Sequence, residues 1–162
     1  MQIRLLITGG TSDKTYNMHN GALHFVNSHM DDMLNEARCR LELEVEQLML
    51  LDSLDMTEDD RAQIVAACEH CAESRIVITH GTDTMVDSAR QLQQAISDKT
   101  IVLTGAMIPY VFDKSDALFN IGCALSAVQC LAPGVYIAMN GRIFPADNVI
   151  KNRDEGIFDT LG

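Results

Sequence analysis

Short apolar runs alternate with amphipathic segments along the whole chain. Five apolar runs predict strands, over residues 3–7, 41–51, 75–79, 100–103 and 135–139. Four segments with apolar residues at helical spacing predict helices, over residues 27–39, 57–74, 86–96 and 117–131. Strands that alternate with helices are typical of a mostly parallel sheet with helices on both faces. The pattern therefore predicts an α/β fold.

The segments outside this alternation predict turns and connections. Asn140-Gly141 is a strong hairpin signal, so residues 142–144 are expected to return as an antiparallel strand. Residues 12–23 are irregular and polar, which suggests a loop with a short hairpin at Asn20-Gly21. The polar tail, residues 145–162, is expected to run over the surface. We therefore expect a three-layer α/β/α domain with a mostly parallel, Rossmann-like (flavodoxin-like) central sheet.

Length and charge restrict the classes of function. The chain has 162 residues, which suits one domain, 1–162. Its formal net charge of −11 argues against nucleic acid, because phosphate binding requires a clustered basic surface. No apolar run approaches the ~20 residues that a membrane span needs. We read no signal peptide at the N-terminus, so a cytoplasmic protein is expected.

The five cysteines lack the spacing of a disulfide framework. Cys68 and Cys71 form a Cys-x-x-Cys pair with His70 between them, which could indicate zinc or redox chemistry. The pair has no second half for a zinc site, and it lies near the end of a helix rather than at its start. Buried or half-buried free thiols are the favoured interpretation.

The residues at the ends of the predicted strands are small, hydroxylic or carboxylic. They are Thr8, Gly9, Gly10 and Thr11; Ser53 and Asp55; Gly81, Thr82 and Asp83; and Thr104, Gly105 and Ala106. In open α/β sheets, ligands bind beyond the carboxyl ends of the strands. The purely structural interpretation of one such turn is a helix cap. Thr82, Asp83 and Thr84 could cap the helix over 86–96.

No familiar cofactor or metal motif occupies these turns. The phosphate-binding loop, the dinucleotide glycine pattern, the Gly-x-Ser-x-Gly elbow and metal-ligand spacing are all missing, so we expect neither cofactor nor metal. Hydroxyls in turns rich in N–H groups suit acyl transfer, in which a threonine oxygen attacks a carbonyl. Lys14, Tyr16 and Lys151 are the candidate activating groups, and the residues alone indicate a small polar ligand without fixing a reaction.

Five motifs in order resemble the N-terminal domain of the bacterial-type asparaginase/glutaminase family. They are residues 8–11 (TGGT), 52–57 (DSLDMT), 78–85 (ITHGTDTM), 103–107 (LTGAM) and 134–141 (GVYIAMNG). The resemblance spans nearly the whole chain, and its closest match is to short, single-domain asparaginases. It implies hydrolysis of L-asparagine to L-aspartate and ammonia through a threonine acyl-enzyme.

The resemblance also implies a role for individual residues. Thr11 matches the nucleophile that follows the first strand, and Tyr16 matches a loop tyrosine that bonds to it. Thr82, Asp83 and Lys151 match a second catalytic cluster, in which the lysine polarises the threonine hydroxyl. The implied substrate-binding residues are Gly10, Ser53, Gly81, Thr82, Asp83 and Ala106, with Asp83 on the α-ammonium and Ser53 on the α-carboxylate. His80, which ends a buried strand, is interpreted as a hydrogen-bonded structural residue.

Two departures from the longer relatives change what is expected. We expect the C-terminal domain of the longer relatives to be absent, and Leu54 stands where those relatives often have a polar substrate ligand. Both remove partners for the charged end of an amino acid, which predicts a weak KM, relaxed substrate choice or lost activity. A non-catalytic amino-acid-binding module and an amidase for another small amide remain open alternatives. By family analogy we also expect a homo-oligomer.

Overall fold

The computed structural model describes all of residues 1–162. Ten strands are present: β1 (Gln2–Gly9), β2 (Lys14–Tyr16), β3 (Leu23–Phe25), β4 (Glu42–Leu51), β5 (Arg75–Thr79), β6 (Thr100–Thr104), β7 (Gly134–Met139), β8 (Arg142–Pro145), β9 (Ile150–Asn152) and β10 (Ile157–Asp159). Four helices accompany them: α1 (Met30–Glu36), α2 (Glu58–His70), α3 (Met85–Ala95) and α4 (Ala117–Cys130). None of these helices is long and apolar enough to cross a membrane.

Six strands form the central sheet in the order β4-β1-β5-β6-β7-β8. All pairings are parallel except that of β7 with β8, which the turn at Asn140-Gly141 joins as a hairpin. The first five strands follow the doubly wound order 2-1-3-4-5 that is typical of flavodoxin-like sheets. The predicted fold is therefore confirmed. In this topology the strand order reverses between β1 and β5, and the crevice at that reversal is the expected ligand site.

Two apolar layers cover the two faces of the sheet. Alternate residues of each strand point to opposite faces, so Ile76 and Ile78 pack with α2 and α3 while Val77 packs with α1 and α4. Every one of these three side chains is fully buried. The three-layer arrangement is therefore built directly on the alternation of the strand residues.

The C-terminal tail differs from its prediction. Instead of running over the surface, it forms the β9–β10 hairpin and contributes Val149 and Phe158 to the core layer on the α2/α3 side. Phe158 is only 3% exposed. The sequence pattern misses this role because the apolar residues of the tail occur in short pairs, Val149-Ile150 and Ile157-Phe158, among polar ones. The tail thereby becomes a structural part of the domain and holds Lys151 in β9.

The start of α3 is also capped differently from the prediction. Thr84 is the N-cap residue, but neither it nor its neighbours cap the helix with a side chain. The Thr84 hydroxyl instead donates to Ser53 O (2.9 Å), and Ser53 Oγ accepts from Thr84 N (3.3 Å). The cap therefore comes from the turn after β4, which leaves Thr82 and Asp83 available for other contacts. The start of α2, in contrast, is capped by its own Thr57.

The β2–β3 hairpin and the Cys68 and Cys71 thiols agree with the sequence predictions. Residues 14–25 contain the expected hairpin, β2 paired with β3, although α1 and α2 are shorter than predicted. Cys68 is buried and Cys71 is half-buried, and both are free thiols. The interpretation of this pair as free thiols is confirmed.

A buried imidazole lies directly after β5. His80 is fully buried, and its Nδ1 lies 2.7 Å from Gly81 O while its Nε2 lies 2.8 Å from Ser88 Oγ. A carbonyl oxygen can only accept, so Nδ1 carries the proton and Ser88 donates to Nε2. Burial lowers the pKa of this imidazole to about 4, although the bond to Gly81 O favours the protonated form. The expectation of a hydrogen-bonded structural histidine agrees with this geometry.

Because the native pKa of His80 lies below that of the unfolded chain, the unfolded state binds the proton first as the pH falls. The free energy of unfolding should therefore decrease between about pH 6.5 and pH 4, by about 3 kcal/mol for this group alone. His80→Asn should remove that part of the pH dependence in urea titrations at several pH values. His19→Asn, at an exposed site, is the control and should leave it. Equal pH profiles for His80→Asn and the wild type would contradict this assignment.

Phe158→Ala should lower the free energy of unfolding by about 3–5 kcal/mol, because it leaves a cavity in the α2/α3 layer. Ile157→Ala, at the neighbouring position where the side chain is 38% exposed, is the matched control and should cost about 1 kcal/mol or less. Urea denaturation followed by circular dichroism measures both. Equal losses for the two variants would show that the tail is not part of the core.

Candidate active site

Three turns meet in direct contact at the carboxyl edge of the sheet. Gly10, with φ +88°, lies so close to Gly81 that a Cβ at position 10 would stand 2.6 Å from Gly81 N. Gly81 lies equally close to Ser53, whose Cβ would be 2.6 Å from a Cβ at position 81. Only glycine fits the first position, because it needs both a positive φ and the absence of a side chain. The turns after β1, β4 and β5 therefore form one continuous surface.

Lys151 joins the turn after β5 from the β9 strand. Its Nζ donates to Thr82 Oγ1 (2.8 Å) and to Asp83 Oδ1 (2.7 Å). The lysine side chain is only 11% exposed, while that of Asp83 is 35% exposed. A charged ammonium in this partly dry setting is stabilised by the carboxylate beside it. We call Thr82, Asp83 and Lys151 the lysine cluster.

The lysine cluster has two further neighbours. The Thr82 hydroxyl is directed at Met107 Sδ, 3.8 Å away, which is a weak acceptor. Arg153 Nη2 donates to Asp83 O at 3.2 Å and holds the backbone of the turn. The Thr82 oxygen thus accepts a strong hydrogen bond from Lys151, while its own proton takes part only in the weak bond to Met107 Sδ. This arrangement leaves the Thr82 proton free to bond to a ligand.

Thr11 lies on the adjacent turn, in the one-turn 3-10 helix Thr11–Asp13. The parallel pairing of Ile7 with Thr79 sets this turn beside the one that carries Thr82. Tyr16 is placed differently: it is 50% exposed on β2, and its hydroxyl lies near Gly21 of the same hairpin. The structure therefore brings the turns of Thr11 and Thr82 together but does not bond Tyr16 to Thr11.

The remaining predicted residues lie around the same edge. Ser53 is 1% exposed and is bonded to Thr84, so its hydroxyl faces the start of α3. Ala106 is fully buried in the α1/α4 layer, backbone included, so the structure exposes no part of it to a ligand. The turn after β6 contacts the same surface through Gly105, where an added Cβ would stand 2.4 Å from His80 O.

A second ion pair ties the β2–β3 hairpin to this surface. Lys14 Nζ donates to Asp52 Oδ2, directly before Ser53 in the chain. Burial would raise the pKa of the Asp52 carboxyl, but the bond from Lys14, the Leu54 N–H and the charges of Lys14 and Lys151 together lower it. The influence of Lys151 shows that the two ion pairs share one electrostatic environment. Lys14 thus connects the β2–β3 hairpin to the turn after β4 through its ion pair with Asp52.

Asp13 is a buried carboxylate that the sequence patterns do not single out. Its Oδ1 accepts from Ser28 Oγ (2.9 Å) and His29 N (2.7 Å), while its Oδ2 has no hydrogen-bond partner. Burial raises the pKa of this carboxyl, opposed by the bonds from His29 and Ser28. A charged residue in a polar turn usually indicates exposure, so nothing in the sequence pattern points to this role. Asp13 fixes the turn of Thr11 against the start of α1.

The assembled crevice offers hydroxyl, ammonium and carboxylate groups together with turn N–H groups. No group of three or more His, Cys, Asp or Glu side chains is arranged to hold a metal ion. A lysine bonded to both a hydroxyl and a carboxylate can move protons and orient a small polar molecule. The geometry suits chemistry on a small amide or carboxylate.

Comparisons with known proteins show the family of this chain. Residues 2–159 match the family model described as Asparaginase, N-terminal. The L-asparaginase of Thermococcus kodakarensis is 34% identical over 167 residues, a match that covers 97% of this chain and 49% of the relative. The probable periplasmic L-asparaginase of Haemophilus influenzae is 29% identical over 159 residues, with 92% of this chain and 46% of the relative covered.

Solved structures give the same result. The thermostable L-asparaginase from Thermococcus kodakarensis superposes with a TM-score of 0.87 at 30% identity, covering 99% of this chain and 51% of that chain. A probable cytoplasmic L-asparaginase from Campylobacter jejuni gives a TM-score of 0.83 at 28% identity, with 98% and 52% covered. The chain thus spans 49% of the length of the Thermococcus kodakarensis L-asparaginase and 46% of the length of the Haemophilus influenzae relative. Fold, turns and sequence together show that the chain belongs to the asparaginase family and corresponds to its N-terminal domain.

Proposed function

We propose that the chain is an amidohydrolase that releases ammonia from L-asparagine through an acyl-enzyme on Thr11. The observation that carries this proposal is the lysine cluster, in which Lys151 bonds both Thr82 and Asp83 beside the turn of Thr11. Free threonine hydroxyls are weak nucleophiles, so a reaction at this edge requires such a proton-transferring partner. The names of the relatives supply the substrate class, since several are L-asparaginases.

The proposed reaction has two steps. The Thr11 oxygen attacks the side-chain amide carbon, and the N–H groups of the turns face the oxyanion that forms. The lysine cluster accepts the Thr11 hydroxyl proton and supplies a proton to the amide nitrogen, so that ammonia leaves and an ester on Thr11 remains. A water molecule, polarised by Thr82 and Lys151, then attacks the ester and releases L-aspartate. Asp83 keeps Lys151 in place and uses its second oxygen for the substrate ammonium.

Thr82→Val should lower kcat/KM for asparagine by roughly 100-fold or more, because it removes the hydroxyl that receives the bond from Lys151. Thr11→Val should have at least as large an effect, and Thr82→Ser should retain most of the activity. Coupled detection of ammonia measures all three. Lys114→Met, an exposed lysine outside the crevice, is the control for general effects of substitution.

Ammonia release that survives both valine variants would overturn the assignment of the two threonines. Tight binding of asparagine without ammonia release by the wild type would instead identify a non-catalytic binding module. Release from other small amides but not from asparagine or glutamine would keep the reaction class and change the substrate.

One observation favours a second amide as substrate. Leu54 follows the buried Ser53 and is 63% exposed, so an apolar side chain borders the place proposed for the charged end of asparagine. An amide that lacks the α-ammonium group would lose less binding energy at such a site, because it has no charged donor beside the apolar Leu54 side chain.

Leu54→Gln should therefore lower the KM for L-asparagine, by roughly tenfold if one hydrogen bond to a charged group is gained. The same substitution should leave the KM for succinamate, which has no α-ammonium, nearly unchanged. Steady-state kinetics with both amides measure the difference. An equal change for the two substrates would show that position 54 does not contact the amino group.

A further inference from the structure

A small internal cavity lies beneath the turn that carries Thr11, between the sheet and helices α1 and α4. Its volume is about 10 Å³. Eight residues line it, all of them buried: Ser12, Met30, Met33, Thr79, Thr104, Gly105, Ala117 and Ile121. A cavity of this size has room for one water molecule when polar groups face it.

Two hydroxyl groups in the wall of this cavity have no partner in the protein. They are Ser12 Oγ and Thr79 Oγ1, on residues that are 4% and 2% exposed. A third hydroxyl, Thr104 Oγ1, donates to Ala138 O at 2.8 Å and keeps its lone pairs free to accept another bond. Buried hydroxyls are nearly always hydrogen-bonded in native proteins, so a dry cavity would leave two exceptions among the residues that line it.

We propose that one water molecule is bound in this cavity, bridging Ser12 Oγ and Thr79 Oγ1, and that it positions the turn that carries Thr11. The water donates one bond to Thr104 Oγ1 and exchanges bonds with the two free hydroxyls, which gives it the three partners typical of a buried water. A hard metal cation does not fit, because it requires about six oxygen ligands and the wall offers three.

The position of the water explains why it matters for Thr11. Ser12 is the next residue in the same 3-10 turn, whereas Thr79 and Thr104 are paired residues at the ends of β5 and β6. The bridge therefore anchors the turn of Thr11 to the central sheet. Ser12 O is held in addition by Tyr110 N at 3.3 Å, so the side-chain bridge and the backbone bond fix the residue from two directions. This positioning role rests on the proposed function of Thr11, but the water site does not.

The first test is a high-resolution crystal structure of the whole chain. We expect one electron-density peak within about 3.2 Å of both Ser12 Oγ and Thr79 Oγ1. An empty cavity, or hydroxyls rotated to bond backbone carbonyls directly, would overturn the water site. This test does not depend on any enzymatic activity.

The second test is a double-mutant cycle on the thermal midpoint with Ser12→Ala and Thr79→Val. Removing either hydroxyl weakens the same water, so the double variant should lose clearly less than the sum of the two single losses. Thr100→Val is the matched control, since Thr100 is a buried threonine at the other end of β6 with a direct bond to Leu131 O. Its loss should add to that of Ser12→Ala. Strict additivity in both cycles would overturn the bridge.

The third test separates positioning from stability. If the water positions the turn of Thr11, Thr79→Val should lower kcat for ammonia release by about tenfold, with KM changed less than twofold. Thr79→Ser keeps the hydroxyl and should restore kcat, while Thr100→Val should leave it unchanged. An unchanged kcat in Thr79→Val, with coupling present in the cycle, would overturn the positioning role. If the wild type releases no ammonia from any amide, the proposed function fails, and the first two tests still decide the water site.

Discussion

The parallel pairing of β1 with β5 is the constraint on which the site depends. It sets the register of Ile7 with Thr79 and so brings the two following turns to the same height at one edge of the sheet. The close approach of Gly10 to Gly81 then places the backbones of the two turns in direct contact. Parallel strands of a doubly wound sheet always end on the same edge, and the order reverses between these two. The crevice is therefore a consequence of topology, and the side chains of the turns decide its chemistry.

Charge at the crevice contrasts with charge elsewhere on the chain. The protein has 23 acidic and 12 basic residues, yet two lysines are held at this edge, each by one carboxylate: Lys151 by Asp83 and Lys14 by Asp52. Each pair partly neutralises itself, which reduces the cost of holding an ammonium group away from water. The pairs differ in purpose. Lys151 faces a hydroxyl as well as a carboxylate, whereas Lys14 connects the β2–β3 hairpin to the sheet.

Much of the fold follows from local patterns in the sequence. The five parallel strands are recognisable because each apolar run ends at a turn of polar or glycine residues, and the hairpin at Asn140-Gly141 has an unambiguous turn signal. The tail is not recognisable in this way. Val149-Ile150 and Ile157-Phe158 are apolar pairs too short to predict strands, and the burial of Val149 and Phe158 depends on contacts with residues distant in the sequence.

The residues of the candidate site differ in the same way, since some are recognisable from local sequence and others are not. The motif around Thr82 and Asp83 is local and specific, so family resemblance finds it. The neighbours that determine its geometry are distant in sequence: Ser53 in place of a local helix cap, and Asp13 against the start of α1. Such contacts form between parts of the chain that are distant in sequence. A buried carboxylate, or a helix cap supplied by another turn, produces no periodic pattern in the sequence. Tyr16 shows the reverse case, since this residue matches the family in type but is 50% exposed and is not bonded to Thr11.

The proposed chemistry requires the turns of Thr11 and Thr82 to form a single ligand site at the reversal of strand order. The most direct measurement is a crystal structure of the chain with L-aspartate, the product of the proposed reaction. We expect density for the ligand in the crevice, with its side-chain carboxylate between Thr11 Oγ1 and Thr82 Oγ1 and its amino group beside Asp83. L-aspartate bound at another surface, or in contact with only one of the two threonines, would contradict a shared site.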